Sequence, residues 1–249
     1  MEVRGRPTPQ PPRTEHPRFL DRTEENPRSD INPFIFEHTQ HKPILLTADD
    51  AWRFRGRWAD AFGGRDAPLH VEIGSGNGFF LSEFARRNPA LNVLGIEIRY
   101  KRTVLCARKI AKVGAQANAR IARYHAAFLD DLFLPGQLAG IWVHHPDPWP
   151  KGRHEKNRLI SRWFLEDVAT YLEPGGRFRL KSDFRPNIER VEELLADPDT
   201  PALPLEISGR SDDVTAGNAP WPDDIETNYQ SKFRRRGLPV YAVELTRRA

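Results

Sequence analysis

Ten residues constrain this chain more than any others: Leu69 to Gly78, LHVEIGSGNG. Leu69, Val71 and Ile73 alternate as a short β-rich run. Gly74, Gly76 and Gly78 follow at once, and Phe79, Phe80, Leu81, Phe84 and Ala85 then recur at helical spacing. Strand, glycine turn and helix in immediate succession form the entry unit of a doubly wound α/β sheet. The glycines let the backbone bend sharply and let a ligand lie against bare main chain.

The details of the turn select among nucleotide ligands. A dinucleotide fingerprint needs a third glycine three residues after the second, and Phe79 stands there. The strand also carries an acid, Glu72, just before the turn. A carboxylate at that place suits a ligand with a cationic amino group and a sulfonium, and repels a pyrophosphate. The next apolar run, LNVLGIEI (Leu91 to Ile98), ends in a second acid, Glu97. A carboxylate at a second strand tip is placed to accept hydrogen bonds from a ribose diol. The two acids favour S-adenosylmethionine over NAD.

With 249 residues, 39% of them hydrophobic, the chain can build one sizeable α/β domain and an appendage. The single cysteine, Cys106, excludes an internal disulfide and reads as a packing residue, which places the chain in a reducing cytoplasm. No run approaches the roughly 18 apolar residues of a membrane span, and the N-terminus lacks an apolar signal core. Residues 1–33 hold seven of the 22 prolines and few large apolar groups, and read as a basic, flexible tail. Residues 34–249 read as a single domain. Within it the pattern predicts a helix over about Ala48–Phe62, one over Phe79–Asn88 and one over Lys101–Val113. Further helices are predicted over Asn157–Leu172, Pro186–Leu195 and Thr227–Arg236. Strands alternate with them, giving a seven-stranded, mostly parallel sheet whose last strand is antiparallel, with helices on both faces.

Ligands of such sheets sit at the carboxyl ends of the strands. The residues found there are Glu72 and the glycines, Glu97, His125-Ala126, the segment HPDPWPKGRH and Asp183. In that segment Asp147 lies between Pro146 and Pro148, so its carboxylate is held in a stiff loop. Two readings are open: a structural turn, or a loop whose carboxylate accepts N1–H and N2–H of a guanine. Trp149 either stacks on a base or packs. Lys151, Arg153, Lys156 and Arg158 follow with one acid, Glu155, and Lys232, Arg234, Arg235 and Arg236 form a second basic cluster. Two such clusters fit a large polyanion better than a small metabolite. His144 and His145, adjacent on a strand, point to opposite faces and cannot easily chelate one ion, so no metal is expected.

The motifs VEIGSGNG, GIEI, HPDPWPKGRHEKNRL, KSDF and TNYQSKFRRRGLPVY resemble those of the bacterial tRNA (guanine-N7-)-methyltransferases, from about Phe34 to the C-terminus. The resemblance implies a class I, Rossmann-like methyltransferase fold. It implies S-adenosylmethionine as methyl donor, tRNA as partner and the variable-loop guanine at position 46 as target. It assigns the cofactor to Glu72, Gly74, Gly76, Glu97, His125, Ala126 and Asp147, and catalysis to Asp147. It assigns the tRNA substrate to Lys151, Asp183, Thr227, Asn228, Tyr229 and Gln230, and RNA contact to Arg153, His154, Lys156 and Arg158. A monomer or weak homodimer is expected. Two positions depart from the family pattern: His125 stands where an acid is usual, and Gln230 where the family has Glu. They keep a second reading open, a catalytically decayed RNA-binding module on the same fold.

Overall fold

The structure, a computed structural model, describes residues 17–19, 21, 32–149 and 157–249. Eight strands form one sheet: β1 (Leu45–Leu46), β2 (Leu69–Ile73), β3 (Asn92–Glu97), β4 (Ala119–Arg123), β5 (Leu138–His144), β6 (Leu172–Ser182), β7 (Leu205–Ser211) and β8 (Tyr241–Arg247). Their order is β1-β4-β3-β2-β5-β6-β8-β7. All neighbours from β1 to β6 are parallel, and β8 runs antiparallel to both β6 and β7. Progression along the sheet reverses between β2 and β5, the switch point where a ligand crevice opens in folds of this type. The eighth strand, β1, is an addition to the expected seven. Two leucines are too short a run to carry a strand period, and only their pairing with Ile121 and Ala122 reveals them.

The described helices are α1 (Pro33–His38), α2 (Ala48–Arg53), α3 (Trp58–Ala61), α4 (Phe79–Arg87), α5 (Tyr100–Lys112), α6 (Arg162–Tyr171), α7 (Pro186–Ala196) and α8 (Asn228–Arg235). The helix expected over Ala48–Phe62 is two helices. Thr47 caps α2 in a reciprocal capping box with Asp50, but the chain leaves the helix at Phe54. Gly56 then takes φ +78°, where a β-carbon would lie 2.8 Å from the Leu134 side chain. The helix expected from Asn157 starts at Arg162, because Ser161 turns extended and accepts the Phe164 N–H as its cap.

Two cores lie on the two faces of the sheet. Val71, Ile73, Ile141, Val143 and Phe178 pack with α2, α3, α6 and α7. Val93, Ile121, Trp142 and Ala242 pack with α4 and α5. Ile141, Trp142 and Val143 thus alternate between cores along one strand, as the period of two requires. Cys106 is buried in the second core.

Candidate active site

A cleft of about 390 Å³ opens at the carboxyl ends of β2, β3, β4 and β5. Its walls include Glu72, Gly74, Gly76, Glu97, His125, Ala126 and Asp147 from the expected cofactor set, and Thr227, Asn228 and Tyr229 from the expected substrate set. Asp183 and Gln230 do not line the cleft: Asp183 is exposed and bonds to His145, which does line it, and Gln230 is buried; Arg158 donates from Nε to the Trp149 carbonyl at 3.2 Å. Lys151, Arg153, His154 and Lys156 lie outside the described residues.

The glycine turn needs its glycines. At Gly78, where α4 begins, φ is +72° and a β-carbon would come within 2.4 Å of Cys106 Sγ. The turn is held by the second acid. Glu97 accepts the Gly76 N–H on Oε2 and the Arg99 N–H on Oε1, both at 3.0 Å. Its carboxylate is thereby fixed in the cleft with lone pairs left for a diol. Glu72 is almost fully buried. One oxygen lies 2.9 Å from His144 Nδ1, and the other, Oε2, has no partner among the described residues. Burial pushes Glu72 up to about 8 and draws His144 well below its ordinary value. At pH 7 the pair is then a neutral carboxyl and a neutral imidazole, each carrying one proton, rather than an ion pair.

This donor set fits S-adenosylmethionine. A buried, half-satisfied carboxyl could hold a cationic amino group, a fixed carboxylate could take two hydroxyls, and the turn exposes main chain between them. A free phosphate would meet two carboxyl groups. Among the described residues no cluster of three or more His, Cys, Asp or Glu forms a metal site, and no helix is long and apolar enough to cross a membrane.

The opposite wall is built around His145. Its Nδ1 lies 2.9 Å from Asp183 Oδ1 and its Nε2 3.2 Å from Thr227 Oγ1. Its ring stacks on Tyr229 at 5.4 Å and faces Phe233 at 6.3 Å. The hydrogen bond with His145 holds Asp183 below its ordinary value. His145 and Trp149, on either side of Asp147, both have positive φ, +49° and +39°. Such backbone costs on the order of 1–3 kcal/mol per residue and persists where contacts over-determine it. The Asp147 loop is therefore strained as well as proline-stiffened. The two histidines are not neighbours on a strand as expected: β5 ends at His144, His145 leaves it with a left-handed φ, both line the cleft, and they take separate partners. Their use, one on Glu72 and one on Asp183 and Thr227, was hidden from the sequence because the partners are 72, 38 and 82 residues away.

Lys181 is fully buried behind this wall. Its ammonium meets Asp224 Oδ1 at 2.5 Å, Gln230 Oε1 at 2.9 Å and the Ile225 carbonyl at 3.0 Å. It fastens the start of α8 to β6, and so sets where Thr227 and Tyr229 enter the cleft. Gln230 acts here as a neutral acceptor, with Asp224 supplying the negative charge.

The sheet order, the glycine turn and the paired acids define a class I α/β methyltransferase. The solved 16S rRNA methyltransferase KamB superposes with a TM-score of 0.52 at 17% identity, over 76% of this chain and 92% of that one. A structure described as an antibiotic-related methyltransferase gives the same score at 13% identity. A family model described as "Putative methyltransferase" matches residues 66–243. The chain is 32% identical over 214 residues to a tRNA (guanine-N(7)-)-methyltransferase of Bacillus velezensis, covering 86% of this chain and 92% of the relative. It is 35% identical over 191 residues to one of Listeria monocytogenes, covering 77% and 85%. The chain belongs to the tRNA (guanine-N7-)-methyltransferase family.

Proposed function

We propose that this protein transfers a methyl group from S-adenosylmethionine to N7 of the variable-loop guanine of tRNA. The observation that carries the reading is the strained Asp147 loop, set on the wall of the same cleft that holds the half-satisfied Glu72. One end is furnished for the cofactor and the other for a base. When bound, the cofactor supplies a methyl group on a sulfonium, ready for displacement. Glu72 binds the amino end and Glu97 the ribose. Asp147 accepts N1–H and N2–H of guanine, turning N7 toward the cofactor end. Tyr229, half exposed at the mouth and stacked on His145, offers a face to the base. Guanine N7 is a free acceptor, so no residue need remove a proton. The work of the site is positioning, with Asp147 opposing the positive charge that develops on the base.

The test is methyl transfer from labelled S-adenosylmethionine to unmodified tRNA transcripts, with the product nucleoside identified by mass and chromatography. N7-methylguanosine is expected, lost when the variable-loop guanine is replaced. Bound tRNA without transfer, and without cofactor binding, would mean a decayed RNA-binding module instead.

A further inference from the structure

Helix α5 and the residue before it carry six cations between Arg99 and Lys112, and no acid. Three of them, Arg99, Lys101 and Arg102, stand at the first turn, where the helix dipole repels positive charge, and no side chain caps that turn. Elsewhere on the described surface Arg86 and Arg87 share Glu83, Arg53 has Asp49 and Arg162 has Glu166. On α5 Arg108 is held in this way by Glu37. Arg99, Lys101, Arg102, Lys109 and Lys112 form no ion pair among the described residues. Like charges gathered against a dipole cost stability in the free protein, and an anionic partner offsets that cost.

The row borders the cleft. β3 leads into α5 on one side of β2, and α8 is fastened to β6 on the other, so the mouth lies between the two helices. Arg99 and Arg102 line it together with Phe79, and Asn228 and Tyr229 line it from α8. Phe79 is 51% exposed, with the Lys109 ammonium 3.7 Å from its ring centre. Tyr229 is 48% exposed, with the Lys232 ammonium 5.2 Å from its ring centre. Each side of the mouth thus sets an open ring beside a lysine. Aromatic faces that take bases, set among cations that track the backbone, are how a protein grips single-stranded RNA. From Lys101 to Lys112 the helix runs about 16 Å, a row that suits a chain of phosphates better than one small anion. We infer that the α5 face is a second phosphate-contacting surface for tRNA, so that the RNA is gripped on both sides of the cleft mouth and not along α8 alone. This rests on the tRNA reading above and deepens it from the class of substrate to the face that carries its backbone.

The test is binding of unmodified tRNA transcripts to the full-length protein, read by fluorescence anisotropy across a salt series, with S-adenosylhomocysteine affinity measured alongside by calorimetry. Lys101→Glu with Lys112→Glu changes two exposed cations that do not line the cleft. The pair should weaken tRNA binding about tenfold or more at low salt and lower the slope of log K against log salt by about two. S-adenosylhomocysteine affinity should stay within about twofold. Adding Arg235→Glu and Arg236→Glu on α8 should lower the slope by about four in all. A control makes the same charge change at the other end of the sheet: Arg87→Glu, where α4 ends before β3, with Arg248→Glu, beside the start of β7. It should leave the slope within about one of wild type. Lys101→Glu alone puts an acid in the first turn of α5. It should melt no lower than wild type while binding tRNA more weakly, a combination that a merely structural lysine would not give. Salt-dependent tRNA binding with the slope unchanged in Lys101→Glu/Lys112→Glu, or an equal loss in the control, would overturn the inference and leave the tRNA reading standing. No tRNA binding by the wild-type protein would overturn both.

Discussion

Burial raises Glu72, while the cofactor role proposed for it needs its charged form. Its raised value, about 8 against an ordinary 4.5, makes the sign of two effects opposite. Between those limits the folded chain holds a proton that the unfolded chain has lost, so stability from this group falls as pH rises through the window. A bound ammonium drives the proton off, so S-adenosylhomocysteine affinity should climb with pH up to about 8. Calorimetry in buffers of different ionisation enthalpy should show proton release on binding at pH 7. Glu72→Gln should lose about 10- to 100-fold in affinity, the worth of a charged hydrogen bond, while melting a few degrees higher at pH 8. The Lys181 cluster makes a second prediction. Gln230→Glu would set a second carboxylate beside Asp224, whose Oδ2 lies 3.4 Å from Gln230 Nε2. We expect a loss of about 1–2 kcal/mol, most of it recovered by adding Asp224→Asn, in a double-mutant cycle read by chemical denaturation. Glu72 and Glu97 were legible because their meaning lies in their distance from a local turn. The place of Gln230 was not, because its partner Lys181 is 49 residues away and a buried lysine leaves no sign in sequence.

The α8 helix shows how an element carries a site it only borders. Thr227 Oγ1 accepts the Gln230 N–H at 3.0 Å and bonds to His145 Nε2, so one hydroxyl both caps the helix and steadies the strained loop. Thr227→Ala should cost about 1 kcal/mol, seen as roughly fivefold faster hydrogen exchange at the Gln230 and Ser231 amides. KM for tRNA should rise more than kcat falls, since the chemistry end of the cleft is untouched. Long periodic elements such as α4, α5 and α7 were legible within a residue or two. The failures fell where a local choice opposed the period: Gly56 dividing one expected helix into α2 and α3, and Ser161 delaying α6. The strand β1 was missed because two residues have no period.

At the scale of the whole molecule the mostly parallel sheet with an antiparallel last strand followed from the alternation of strands and helices, whereas its strand order emerged only from the pairing. The basic character of the chain is distributed in a way that can be tested. Arg235 and Arg236, at the end of α8, are exposed, whereas Arg234 is held by Glu226. Replacing Arg235 and Arg236 by Glu should weaken tRNA binding and flatten the slope of log K against log salt by about two, with S-adenosylhomocysteine affinity unchanged. A tRNA affinity independent of salt would exclude this face as a phosphate contact. The docking of the early chain against β4 carries a different consequence. Arg18 pairs with Asp131, 113 positions later, and Asp21 with Arg123, 102 positions later, while the Phe19 ring lies against Tyr124 and His125. Synthesis on the ribosome delivers Arg18, Phe19 and Asp21 long before any of these partners exists. They must wait, solvated, while some hundred residues are added, so the His125 side of the cleft cannot be completed until about half of the chain has been made.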